Sequence, residues 1–379
     1  MAEKHTYKSA GVNNEAKEDV SRILYEAARQ TWQNRKGKLG EVIVPFDDFS
    51  GIRAIDVSRL PQGTLMGMGF DGIGTKVMVA QMLNKHNTIA RDLFAMVCDD
   101  AVVRGAEPVL VGSILDVNSL KGGEERIKQV RELAKGYVDA AKMANVAVFN
   151  GETAELGSLV GGYGSFNYNW GAAVVWFARK ERMFTGREIK EGDSLVGLCE
   201  PGFRANGLSL ARKIMKDKHG ERWHEKVWKH GLTFGEAVLT PSVIYCAAVV
   251  DTFGGYCKEP KTEVHGVAHI TGGGLPEKLK RVLKPSGLGA DVDTPFEVRG
   301  IMKHVQEQGN VSDREAYKTW NMGQGMVIVT PKNTEVEVQK IAAEHGIPCQ
   351  TIGRVVRKPG IRIRNRGAYC DKEPELIFD

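Results

Sequence analysis

Leu65-Met-Gly-Met-Gly-Phe-Asp-Gly-Ile-Gly-Thr-Lys76 is the stretch on which the fold turns. Leu65–Phe70 reads as a short apolar strand, a glycine-rich turn follows, and a helix is predicted over Thr75–Leu83. Strand, turn and helix in a dozen residues is the unit of an α/β layer. Upstream, Asn14–Gln33 carries Val20, Ile23, Leu24 and Ala27 at helical spacing. Downstream the alternation continues: helix Asp92–Arg104 with Asp92 as its N-cap, strand Val109–Leu115, helix Glu124–Met143, then strands Val146–Phe149 and Trp170–Ala178. The charged, turn-rich segment Lys180–Asp193 interrupts this pattern. A chain of 379 residues exceeds one comfortable core, so two domains are expected, 1–180 and 181–379. The second half reads as strand Ser194–Leu198, helices Leu208–Met215 and Pro241–Phe253, turn-helix Thr271–Leu283 and strand Gly325–Thr330. Helix Glu335–His345 and strands near Gln350–Val356 and Gly360–Arg364 complete it. The fold class is α/β (α+β).

Composition narrows the function. A hydrophobic content of 42% and a charged content of 26% belong to a folded globular chain. The net charge of +5 suits anionic substrates without requiring nucleic acid. Its one dense run, Arg354 to Arg366, reads as a solvated edge strand. Six cysteines without C-x-x-C spacing indicate neither zinc nor a disulfide framework, and the polar N-terminus and the lack of an 18-residue apolar stretch point to the cytoplasm rather than a membrane.

Chemistry gathers first around Asp71. Gly67-Met-Gly-Phe-Asp-Gly72 satisfies G-x-G-x-x-G, with Asp92 about twenty residues on. However, Asp71 would set a carboxylate inside the pyrophosphate cradle, and no strand precedes Asp92. Gly69–Lys76 meets the phosphate-loop spacing, but Thr75 precedes Lys76 instead of following it. What survives is a carboxylate at a strand end, a turn containing Gly72 and Gly74, and a hydroxyl and an ammonium at a helix start. Such a set can hold a metal and phosphate oxygens together, against the plain alternative of an Asp-Gly turn. Asp100 lies amid the stripe Leu93, Met96, Val97 and Arg104, and a carboxylate there needs a partner; Arg104 at i+4 is the simple structural one, with Asp99 on a solvated flank. Glu152, following the strand Val146–Phe149, offers a third carboxylate for a hard cation. In the second half, Thr271, Gly272, Gly273 and Gly274 precede a helix with Pro276 in its first turn, a start suited to phosphate. Arg204, Asn206 and Gly207 stand likewise before Leu208–Met215, and Asn321 is expected at a site mouth. Two anion-ready helix starts favour a phosphorylated substrate.

Taken in order, these motifs resemble the aminoimidazole ribonucleotide synthetase (phosphoribosylformylglycinamidine cyclo-ligase) family. The resemblance runs over nearly the whole chain, through Tyr7-Lys-Ser-Ala-Gly-Val12, Asp71-Gly-Ile-Gly-Thr-Lys76, Gly105-Ala-Glu-Pro108, Gly151-Glu-Thr-Ala-Glu155, Asn206-Gly-Leu-Ser-Leu-Ala-Arg212, Ala268–Pro276, Tyr317–Gly323 and Ile352–Val355. Individual pieces are shared with selenophosphate synthetase, thiamine-monophosphate kinase and formylglycinamidine ribonucleotide synthetase. The resemblance implies a homodimer with N-terminal sheets paired across it, a C-terminal αβ sandwich, and ATP-dependent closure of an imidazole ring. It further implies that Asp71, Asp100 and Glu152 hold magnesium, that Thr75, Lys76, Gly72, Gly74 and Glu152 address ATP, and that Asp71, Lys76 and Asp100 carry the chemistry. Arg204, Asn206, Gly207, Thr271–Gly274 and Asn321 would face the phosphoribosyl group. The chain departs from the family at Val44–Gly51, Gly112–Asp116, Leu156–Ser158 and Arg204-Ala205. A small-molecule kinase and a non-catalytic nucleotide-binding scaffold are the alternatives from other classes.

Overall fold

The computed structural model describes residues 14–45 and 52–379. The Tyr7–Val12 motif and most of the stretch Val44–Gly51 therefore lie outside the described residues.

The first half is built on four strands: β1 (Thr64–Gly72), β2 (Glu107–Val117), β3 (Ala147–Glu155) and β4 (Tyr168–Arg179), in the order β1-β4-β2-β3. β4 is antiparallel to β1 and β2, while β2 and β3 are parallel, as a helical crossover requires. That crossover is α4 (Gly123–Ala144), which packs beside α1 (Asn14–Thr31) and α3 (Ile89–Val102); α2 (Lys76–Leu83) follows β1 directly. Val174, Trp170, Leu115 and Val111 form the buried inner face under these helices.

The main sheet of the second half has seven strands: β5 (Ser194–Cys199), β8 (Gly266–His269), β9 (Gly289–Val292), β10 (Gln324–Thr330), β11 (Cys349–Val356), β12 (Ile361–Arg364) and β13 (Glu375–Phe378). Their order is β13-β12-β9-β11-β5-β10-β8, and a separate hairpin pairs β6 (Val227–Lys229) with β7 (Leu232–Thr233). The helices are α5 (Leu208–His219), α6 (Phe234–Val238), α7 (Cys246–Phe253), α8 (Gly274–Leu283), α9 (Gly300–Gly309), α10 (Asp313–Thr319) and α11 (Glu335–Glu344). The basic run is not an edge: β12 lies between β13 and β9, and Arg354 and Arg362 reach Asp291. Among the described residues, no helix is long and apolar enough to cross a membrane.

Two helix boundaries moved for identifiable reasons. α3 begins at Ile89, so Asp92 is no cap; it lies in the first turn and is fully buried. α7 begins at Cys246 instead of Pro241 because the preceding segment is bonded elsewhere: Ser242 Oγ donates to Asp92 and the Tyr245 amide to Asp99.

Candidate active site

β1 delivers Asp71 to the seam between the two halves. Asp71 Oδ1 accepts the Gly72 amide at 2.7 Å, and α3 approaches from the same side with Asp100 in its last turn. Burial raises the Asp71 pKa, the nearby Asp100 charge adds to this, and the Gly72 amide and Lys278 oppose it. His269, at the end of β8, donates from Nδ1 to Asp100 Oδ1 at 2.6 Å, while Arg204 Nη2 donates to His269 Nε2 at 2.7 Å. A guanidinium can only donate, so His269 must be the neutral Nδ1–H tautomer. Burial and the Arg204 charge lower its pKa to about 4. Burial by itself would raise Asp100, but the His269 hydrogen bond and the charges of Lys278 and Arg204 hold its carboxyl below the ordinary range.

Beside this carboxylate pair the starts of three helices, α2, α5 and α8, are linked to one another. Thr75 Oγ1, just ahead of α2, is 3.1 Å from Ser209 Oγ in the first turn of α5, a contact that stitches the halves together. Asn206 lies against Gly272 in the turn before α8, and its buried Oδ1 has no hydrogen-bond partner. The turn itself is fixed by the Gly274 amide donating to Thr271 O at 2.8 Å. Gly274 has φ +63°, and a Cβ there would strike the Tyr317 carbonyl, so only glycine lets α8 begin here.

Several expected site residues are placed otherwise. Lys76 is fully buried: its Nζ donates to Asp92 Oδ1 at 2.6 Å and to the Phe203 and Thr240 carbonyls at 2.7 Å, so its three donors are saturated within the fold and none is left for ATP. Arg204 is committed through both terminal nitrogens, to Glu200 at 2.7 Å, Asp99 at 3.1 Å, the Ala95 carbonyl and His269, with only its buried Nε left without a partner, and is turned away from a substrate phosphate. Asn321 is buried, donating to Gly202 O and accepting the Gly323 amide, and so clamps a loop instead of lining a mouth. Asp99 and Asp100 exchange the expected surroundings: Asp99 is buried and takes the Tyr245 and Cys246 amides, whereas Asp100 is half-exposed. Arg104 bonds the Phe184 and Thr185 carbonyls instead of Asp100.

The three-carboxylate metal set does not assemble within one chain. In register, Asp71 is opposite Ala172, Ala172 opposite Ser113, and Ser113 opposite Gly151, which puts Glu152 about three strand spacings, roughly 14 Å, away. Glu152 is level with Ile114 on the outer face, where its partner is Lys17 at 3.9 Å. Among the described residues no group of three or more His, Cys, Asp or Glu could hold a metal. What remains is a pair, Asp71 and Asp100, together with Thr75 and the Thr271–Gly274 turn.

Sequence reasoning passed over His269 and Lys278. His269 stands inside the quoted Ala268–Pro276 motif and could have been singled out as a titratable side chain beside a glycine turn. Lys278 is one turn beyond Gly274 on α8, half-buried, and feels Asp71 and Asp100; no spacing rule links it to residues some two hundred positions earlier.

The family models for AIR synthase related protein match residues 53–172 (N-terminal domain) and 190–365 (C-terminal domain). The chain is 34% identical to the phosphoribosylformylglycinamidine cyclo-ligase of Pyrococcus furiosus, over 96% of this chain and 98% of that one, and 33% identical to the enzyme of that name from Bacillus cytotoxicus, over 94% and 97%. Among solved structures, Escherichia coli HypE, a hydrogenase maturation protein, superposes with a TM-score of 0.60 at 15% identity, covering 94% of each chain. Thiamine-monophosphate kinase from Stenotrophomonas maltophilia gives 0.58 at 12%, over 90% and 97%. These two show a shared fold.

Proposed function

The chain belongs to the AIR synthase (phosphoribosylformylglycinamidine cyclo-ligase) family, and on that premise we propose that its cleft closes the imidazole ring of formylglycinamidine ribonucleotide. ATP is the co-substrate, and ADP and phosphate leave with the aminoimidazole nucleotide. The supporting observation is the contact of both halves around one carboxylate pair: Asp100 of the first accepts from His269 of the second, Lys278 of the second feels the charges of Asp71 and Asp100, and Thr75 meets Ser209. ATP phosphorylates the formyl oxygen, and an internal nitrogen then displaces phosphate to form the ring; no enzyme nucleophile is required.

The donor set fits magnesium, because that ion is usually carried by one or two carboxylates plus substrate phosphates, and here Asp71 is half-buried and Asp100 is held anionic by His269. When bound, magnesium would offset the charge developing on the transferred phosphoryl group. The chain's own residues do the rest. Thr75 and the Gly74 amide address ATP phosphates, the Gly72 amide being held by Asp71, and Lys278 supplies the positive charge that Lys76 cannot. His269, too weak a base to shuttle protons near neutrality, fixes Asp100 by donation. Asn206 Oδ1 is a ready acceptor for a substrate hydroxyl or amine, and the turn before α8 faces the phosphoribosyl group.

We assign 1–180 to ATP binding and dimerisation and 181–379 to substrate binding. Met66, Met68, Phe70 and Ile114 are 54–76% exposed on the outer face of the first sheet, beside a groove of about 720 Å³ that Glu152 also lines. A strip of large apolar side chains suits a second copy of the same sheet, which would bring Glu152 to the interface near ATP. Six free cysteines accord with the reducing cytoplasm. The test supplies formylglycinamidine ribonucleotide, ATP and magnesium and measures ADP and aminoimidazole product together. Equimolar formation, abolished in Asp71→Asn, is expected; ADP without imidazole would favour a kinase, and binding without turnover a scaffold.

A further inference from the structure

We infer that Arg212, in the second turn of α5, binds the phosphate ester of the substrate; this rests on the function proposed above and names the residue that reads the substrate's charge. Lys76 is neutralised by Asp92, and Arg204 by Asp99 and Glu200. On α5 itself, Lys213 pairs with Asp217 at 2.7 Å and Lys216 with Glu221 at 2.7 Å. Arg212 has no acidic partner among the described residues: its guanidinium rests 5.8 Å from the centre of the Tyr163 ring, and its Nε is shielded from solvent without a hydrogen-bond partner. A half-buried guanidinium lacking a counter-charge is costly to keep unless an anion visits it.

Its surroundings suit a phosphate monoester. Ser209 is three residues earlier, on the same face of α5, and its hydroxyl meets Thr75 Oγ1 at 3.1 Å. Arg212, Ser209 and Tyr163 line an open pocket of about 330 Å³, together with Met82 and Trp223. The two carboxylates on its rim, Asp217 and Glu221, are the ones held by Lys213 and Lys216, so they do not cancel Arg212. A planar guanidinium beside an aromatic ring, with the Ser209 hydroxyl lining the same pocket, presents the forked donors that phosphate oxygens accept. Tyr163 belongs to the first half of the chain and Arg212 to the second, so the pocket is complete only when both are in place. The competing role is a cation–π latch between the halves with no ligand.

Full-length enzyme bearing Arg212→Ala or Arg212→Lys should be assayed with formylglycinamidine ribonucleotide and with its 5′-dephosphorylated nucleoside. For the nucleotide, KM should rise roughly 10- to 100-fold in Arg212→Ala, the range for a lost hydrogen bond to a charged group, with kcat nearly unchanged and Arg212→Lys intermediate. For the nucleoside, wild type and variants should be alike. Inorganic phosphate should inhibit wild type competitively and Arg212→Ala far more weakly. An equal rise in KM for both substrates would establish the latch and overturn the inference, as would an unchanged nucleotide KM. If wild type turned over neither substrate, the functional reading would fall; calorimetric titration with inorganic phosphate would still decide Arg212, equal affinity in wild type and Arg212→Ala refuting it.

Discussion

Replacing Lys76 with methionine separates a structural ammonium from an ATP ligand. In the native protein Lys76 neutralises Asp92 at 2.6 Å and bonds the Phe203 and Thr240 carbonyls at 2.7 Å; Asp92 Oδ1 also accepts Ser242 Oγ, and Oδ2 has no partner. Lys76→Met leaves a buried carboxylate uncompensated, which costs about 3–5 kcal/mol. Two carbonyls lose their donors as well, adding about 1–3 kcal/mol each if counted alone. These contributions share one site and do not add in full, so about 4–6 kcal/mol is expected. At about 2–4 °C per kcal/mol for a domain of this size, Tm should fall by roughly 8–24 °C. Adding Asp92→Leu removes the stranded charge and should recover most of the loss. Urea unfolding followed by tryptophan fluorescence measures both variants, with ATP affinity determined alongside. A Lys76→Met protein as stable as wild type but deficient in ATP binding would refute this account and return Lys76 to the phosphates.

Asp71→Asn should lower kcat/KM by about 100-fold or more while leaving the urea midpoint nearly unchanged, because its carboxylate accepts only its neighbour's amide. The folded pKa of His269, about 4, lies below the unfolded value near 6.5, so the neutral native ring stabilises fully above pH 6.5, and this contribution is lost as pH falls toward 4. His269→Gln should flatten the decline in unfolding free energy between pH 7 and pH 4.5, although His86, also lowered to about 4, will preserve part of the slope. Gly274→Ala forces a side chain into left-handed backbone against the Tyr317 carbonyl and should cost about 2 kcal/mol or more by thermal unfolding, together with a raised substrate KM. Phe70→Glu with Met68→Glu should halve the mass observed in sedimentation equilibrium, and an unchanged mass would remove the outer face as the pairing surface.

The strand–turn–helix at Leu65–Leu83 was legible because its signals are local: an apolar run, an Asp-Gly turn, then helical spacing. The long helix Gly123–Ala144 was plain for the same reason. Two of the four-residue strands, Gly289–Val292 and Glu375–Phe378, were not, since so few residues carry little pattern, and helices Gly300–Gly309 and Asp313–Thr319 went unread. At the site, the assignment of Asp99 and Asp100 failed because α3 has no single apolar stripe. Leu93, Phe94, Ala95, Met96, Val97 and Cys98 are all buried, β1 and β4 covering one side and α7 another, so periodicity could not tell which carboxylate faced the cleft. The true partner of Asp100 is His269, 169 positions away, and no i+4 rule reaches it. Lys76 and Arg204 were chosen for chemistry that phosphate would want; buried carboxylates wanted the same chemistry, and only packing decides between the two claimants.

The charges buried along the seam have a consequence for how the molecule can be divided. Asp92 and Asp99 sit in the first half, but Arg204, the carbonyls that hold Lys76 and the amides that cap Asp99 all come from the second. A fragment ending near residue 180 would carry carboxylates shaped for a low-dielectric setting with most of their partners missing. The halves should therefore melt together in one calorimetric transition, and shuffling either between relatives should work only when the seam residues travel as a set.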